Sequence, residues 1–106
     1  MKIKYPKVSF LIPVLNEEKT IKACLDSIFD LDYPKDKIEI LFAMGPSTDD
    51  TNKIIDEYAK KHRNIKILQN PTGNTSTGRK ICVEQSTGHM LMNYGAHTVA
   101  EKNLLK

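Results

Sequence analysis

Residues 7–18 read Lys7-Val8-Ser9-Phe10-Leu11-Ile12-Pro13-Val14-Leu15-Asn16-Glu17-Glu18. The run to Val14 is dominated by Val, Phe, Leu and Ile, the composition of a strand buried on both faces. Pro13 lacks an N–H and sits near the strand's end, where a missing donor is tolerated. Ile21, Leu25, Ile28 and Phe29 then recur at helical spacing, with Cys24 beside them. This spacing predicts a helix over 18–29. A buried strand leading into an amphipathic helix opens a βαβ unit, and the rest of the chain continues it.

A second apolar run, 38–43, ends at Gly45-Pro46. Ser47 with Asp50 reads as a capping box, opening a helix to Lys61 with Ile54, Ile55, Tyr58 and Ala59 on its inner face. A short strand is expected over 65–68 and a loop over 70–75. A third helix is expected over 76–86, with Ile81, Cys82 and Val83 inward and Gly78 allowing close approach of backbone or ligand. Residues 89–94 read as a fourth strand. Thr98 and Glu101 form another capping pair, opening a last helix with Val99, Leu104 and Leu105. Strands alternating with helices predict an α/β fold: three Rossmann-like layers, a mostly parallel sheet of four strands, helices on both faces and right-handed crossovers. Ligands in such folds sit beyond the C-terminal ends of the strands. Segments 13–17, 44–49 and 95–97 share that edge.

Composition narrows the function. At 106 residues the chain suffices for one domain with a modest core. No apolar stretch approaches the about 20 residues of a bilayer crossing, and no signal peptide pattern opens the chain. Sixteen Lys plus Arg against 13 Asp plus Glu give +3, too mild for a nucleic-acid protein. Lys60, Lys61 and Arg63 read as a solvated face, and His62 as an exposed helix end. Cys24 and Cys82 fall on apolar helix stripes and read as buried thiols of a reducing, cytoplasmic protein. They show no zinc spacing with histidine. His89 and His97 would stand about 25 Å apart along an extended chain, too far to act together.

Several segments together resemble the inverting family 2 glycosyltransferases of GT-A fold. Pro13-Val14-Leu15-Asn16-Glu17-Glu18 resembles their first nucleotide-sugar loop, with Leu15 where an aromatic is usual. Leu31-Asp32-Tyr33-Pro34 before Ile38-Glu39-Ile40, Ser47-Thr48-Asp49-Asp50-Thr51, and Gly73-Asn74-Thr75-Ser76-Thr77-Gly78-Arg79-Lys80 are similar to further family motifs. The resemblance implies a UDP-sugar or similar donor, with Pro13, Leu15 and Glu17 lining the base pocket. Asp49 would lie near it, and Arg79 near the ribose or phosphates, where a guanidinium pairs well with phosphate oxygens. The plainer readings stand beside these: Glu17 and Asp49 as anions at helix starts, Arg79 as a solvated arginine.

The departures are as informative. Met44 stands in the nucleotide-binding region where the family carries an acidic residue, and a thioether does not accept the same strong hydrogen bonds. The family's Asp-x-Asp, which holds Mg²⁺ or Mn²⁺, corresponds to Gly95-Ala96-His97. Gly95 offers no ligand, and His97 suits a softer metal. Metal ligands are therefore expected to be absent. In the family a second half supplies the acceptor surface and the catalytic base. The resemblance implies a truncated donor-binding half with no catalytic residue of its own, partnered by a nucleotide-sugar or by a missing acceptor half. The alternative reading is a non-enzymatic interaction or homodimerisation module of the same fold.

Overall fold

The computed structural model describes residues 5–96, 98, 104 and 105. In chain order it contains β1 (Val8–Val14), α1 (Ile21–Phe29), a short 3-10 turn (Lys35–Lys37), β2 (Ile38–Met44), α2 (Thr51–Lys61), β3 (Ile65–Gln69), α3 (Thr75–Gln85) and β4 (Met90–Asn93). All strand pairs are parallel, in the order β3-β2-β1-β4. The expected four-stranded parallel α/β sheet is present.

Strand periodicity divides the core in two. Val8, Phe10, Ile12 and Val14 of β1, with Ile38, Ile40, Phe42 and Met44 of β2, pack against Ile21, Cys24, Leu25 and Ile28 of α1 and Ile55 of α2. The opposite face carries Leu11, Leu41 and Ala43 against Cys82 of α3. The chain steps one way from β1 to β3 with α1 and α2 on one face. It then reverses across the sheet to β4, with α3 on the other face. A constant crossover hand requires this change of face when direction reverses.

Several boundaries differ from expectation. α1 begins at Ile21 rather than residue 18, because 18–20 form a turn whose Glu17 carbonyl accepts from the amides of Thr20 and Ile21. The Ser47–Asp50 capping box does not form. The Ser47 hydroxyl accepts from the Asn16 amide instead, and the N-cap position of α2 falls on Asp50 without a side-chain cap, while the Asp49 carboxylate accepts from the Thr51 amide. Val83, expected inward, is 43% exposed. His62 does end α2, but its ring stacks on Phe29 at 4.0 Å rather than standing free in solvent. Both thiols are buried and unpaired with each other. His97 and most of the expected last helix lie outside the described residues.

The N-terminal pole of the sheet is locked by a buried charge. Glu39, 3% exposed on β2, accepts from the Ser9 hydroxyl (2.6 Å) and from the amide and hydroxyl of Thr87 (2.9 and 3.0 Å). Lys66 of β3 completes the set at 2.7 Å. Burial disfavours the carboxylate, but these donors outweigh it and lower its pKa from 4.5 to about 2. Glu39 thus ties three strands and the approach to β4 together, at the end of the sheet remote from the candidate site.

Candidate functional site

The C-terminal edge of the sheet is shaped by interlocked loops. Asn16 adopts φ 54, in the left-handed region that asparagine tolerates better than most residues. From there its side-chain oxygen accepts from the amide of Thr48 at 2.7 Å, while its own amide donates to Ser47 Oγ at 2.9 Å. The Glu17 amide donates to Thr51 Oγ1 (2.7 Å), and the Glu18 amide to Asp49 Oδ2 (3.3 Å). Glu18 returns the bond by accepting from the Asp50 amide at 3.1 Å. The β1–α1 and β2–α2 loops are therefore one hydrogen-bonded unit. Partial burial opposes ionisation of Asp49, but the Thr51 hydroxyl and amide and the Glu18 amide prevail and hold its carboxyl below the ordinary range.

The β3–α3 loop is organised by Asn70, which is 2% exposed. Its side chain donates to the Asn74 carbonyl and accepts from the Thr72 hydroxyl. Asn74 then caps α3 by accepting from the Thr77 amide at 3.0 Å. Gly78 lets α3 lie directly on the sheet end. A Cβ there would stand 2.8 Å from Asn70 Nδ2, 3.0 Å from Pro13 Cβ and 3.1 Å from Ala43 Cβ. The close approach anticipated at Gly78 is thus one of backbone to sheet, and it sets the neighbouring Arg79 at the mouth between β1 and β4.

β4 exits into this region under restraint. Tyr94 packs edge-on against Phe10 with centroids 5.2 Å apart, and the Cys24 thiol donates to the Gly95 carbonyl at 3.7 Å. Burial, reinforced by the charge of Glu17, pushes Cys24 up to about 12, so it stays a thiol donor. Between these walls opens a cavity of about 270 Å³ lined by Pro13, Glu17, Thr75, Arg79, Asn93, Tyr94, Gly95 and Ala96. β1 and β4 are the strands between which the chain reverses direction, so the cavity sits at the topological switch point, where open α/β sheets bind ligands.

Of the residues singled out in the sequence, Pro13, Glu17, Arg79 and Gly95 meet in this cavity. Leu15 lies to one side, 40% exposed, with its methyls near Gly45 and Gly73. Asp49 is engaged at the start of α2. Met44 departs from expectation: its side chain is 4% exposed and packs in the α1–α2 core, because position 44 has the parity of Phe42 and Ile40. Thr75 and Ala96 also line the cavity; each stands inside a segment singled out above, 73–80 and 95–97, to which the sequence assigned no role at that position. Thr75 was expected in the loop, and the structure makes it the first residue of α3.

A hard divalent cation, which the family resemblance implies here, does not fit this donor set. The described residues leaving β4 are Asn93, Tyr94, Gly95 and Ala96, with no carboxylate among them. Glu17 is the sole carboxylate among the described lining residues. Among all described residues no three His, Cys, Asp or Glu side chains gather as a metal-holding group. Mg²⁺ and Mn²⁺ sites are built chiefly from carboxylate and phosphate oxygens.

With this geometry in place, known proteins supply the frame. The chain is 40% identical over 101 residues to a dolichyl N-acetyl-alpha-D-glucosaminyl phosphate 3-beta-D-2,3-diacetamido-2,3-dideoxy-beta-D-glucuronosyltransferase of Methanococcus voltae, covering 93% of this chain and 32% of that protein. The structure superposes on Staphylococcus aureus TarS in complex with UDP-GlcNAc with a TM-score of 0.82 and 28% identity, over 91% of this chain and 28% of that one. It superposes on a Pyrobaculum calidifontis mannosyltransferase in complex with GDP-Man and Mn²⁺ with a TM-score of 0.79 and 25% identity, over 91% and 29% of the two chains. The chain therefore spans a third or less of the length of these relatives. Among the described residues no helix is long and apolar enough to cross a membrane. The glycosyl transferase family 2 model matches residues 9–106, which takes in the four strands apart from Val8 and every loop of the cavity, and the chain belongs to that family.

Proposed function

We propose that this chain is a nucleotide-sugar-binding domain, the donor-binding half of a family 2 glycosyltransferase, and that these residues alone do not complete the transfer. The observation that carries the reading is the cavity at the β1–β4 switch point, which joins Arg79 to the polar groups of Thr75 and Asn93 beside the Pro13–Glu17 loop. Arg79 pairs with the diphosphate, while Pro13, Leu15 and Glu17, backed by the Asp49-braced loop, face the base and ribose. TarS and the Pyrobaculum enzyme, bound to UDP-GlcNAc and GDP-Man, make a nucleotide diphosphate the natural ligand class. Titration calorimetry with UDP, UDP-GlcNAc and GDP-mannose tests this. Saturable binding of at least one is expected, and none at millimolar ligand overturns the proposal.

A second reading rests on a different surface. Met90 and Leu91 of the edge strand β4 are 47% and 45% exposed, the profile of a strand that another polypeptide covers. In that reading the fold serves as an interaction or homodimerisation module. Light scattering that shows a strict monomer at high concentration would remove the homodimer.

A further inference from the structure

We infer that the switch-point cavity binds the diphosphate of its nucleotide without a divalent cation, with the Arg79 guanidinium meeting the phosphate charge. This rests on the donor-binding reading above and adds to it the means of charge neutralisation. A nucleotide-sugar diphosphate carries a negative charge on each phosphate, and burying it requires positive charge or several donors. Beside a diphosphate a hard cation is anchored by one or two protein carboxylates together with the phosphate oxygens, and the described lining offers Glu17 alone, with no carboxylate among the described residues that leave β4. The Glu17 carboxylate also faces back toward α1, with the Thr20 hydroxyl donating to Oε2 at 3.3 Å.

The cationic alternative is already built into the cavity. Arg79 lines it from α3, and that helix is seated on the sheet through the close approach at Gly78. The guanidinium presents a planar set of donors that matches phosphate oxygens. Thr75 at the start of α3 and Asn93 at the end of β4 add a hydroxyl and an amide to the same lining. In this arrangement Glu17 opposes the ligand's charge rather than sharing a metal with it.

The test is titration of the 106-residue chain with UDP and GDP, in EDTA and then in MnCl₂. The dissociation constant is expected to agree between the two conditions within about threefold, and Arg79→Ala is expected to weaken binding about 10- to 100-fold in EDTA. Arg79→Lys, which keeps the charge and loses the fork, should fall between. Glu17→Gln is expected to tighten binding in both conditions. Tightening of about tenfold or more by Mn²⁺ that Glu17→Gln abolishes would overturn the inference and leave the donor-binding reading standing. Absence of binding in both conditions would sink the donor-binding reading itself. Circular dichroism of each variant separates lost binding from lost fold.

Discussion

The side-chain oxygen of Asn16 accepts a hydrogen bond from the backbone amide of Thr48 at 2.7 Å, across 32 residues of sequence. This bond fastens the loop after β1 to the loop after β2, and it depends on Asn16 holding a positive φ. Replacing Asn16 by Gly preserves the backbone and removes the clamp, so a loss of about 1 kcal/mol is expected. Asn16→Ala removes the clamp and adds the left-handed strain, costing about 1 kcal/mol more. Urea unfolding of both variants checks the order. Equal stability of the two would deny the backbone contribution.

Gly78 gives a second expectation, opposite in sign to helix propensity. Alanine at an interior helix position ordinarily stabilises by about 1 kcal/mol relative to glycine. Here its methyl would meet Asn70, Pro13 and Ala43 at 3.1 Å or less. Gly78→Ala should therefore destabilise by about 1–3 kcal/mol, and should weaken nucleotide binding by displacing Arg79. A rise in melting temperature would contradict the packing argument.

Glu39 sets an acid limit. Its folded pKa is depressed, so its contribution to stability is present above the unfolded value of 4.5 and is lost as pH falls toward about 2. The contribution is at most about 3 kcal/mol by linkage. Glu39→Gln removes the titrating group while leaving Lys66 without its partner. The stability gap between wild type and this variant should be widest above pH 5 and narrow as the solution is acidified. Denaturant melts across that range measure it, and a gap independent of pH would refute the assignment.

The cysteines offer a probe of the two core layers. Burial raises Cys24 to about 12 and Cys82 to about 11, on opposite faces of the sheet. Alkylation by iodoacetamide at pH 8 should be at least about 100-fold slower in the folded chain than in urea, for both residues. Peptide mass spectrometry reads the two sites separately. Rapid native labelling of Cys82 alone would mean that α3 detaches from the sheet.

By itself the sequence determined the alternation of strands and helices, because apolar periodicity along the chain is a local property. The run at 7–14 and the Ile21, Leu25 and Ile28 spacing carried that information directly. It also brought Pro13, Glu17 and Arg79 into consideration through motif resemblance. It did not determine where Met44 points, since one residue of register decides between core and cavity and the strand is apolar on both faces from Ile40 onward. Nor did it reveal that Ser47 serves Asn16 rather than α2, because a hydroxyl near a helix start has the same sequence signature in either role. The tertiary structure decided the strand order β3-β2-β1-β4, and with it the position of the cavity. That order arises from long-range pairing of β4 with β1, about 80 residues apart, which local propensity does not encode. Only once those strands lie side by side do Glu17, Arg79 and Gly95 come to share one wall-lined space.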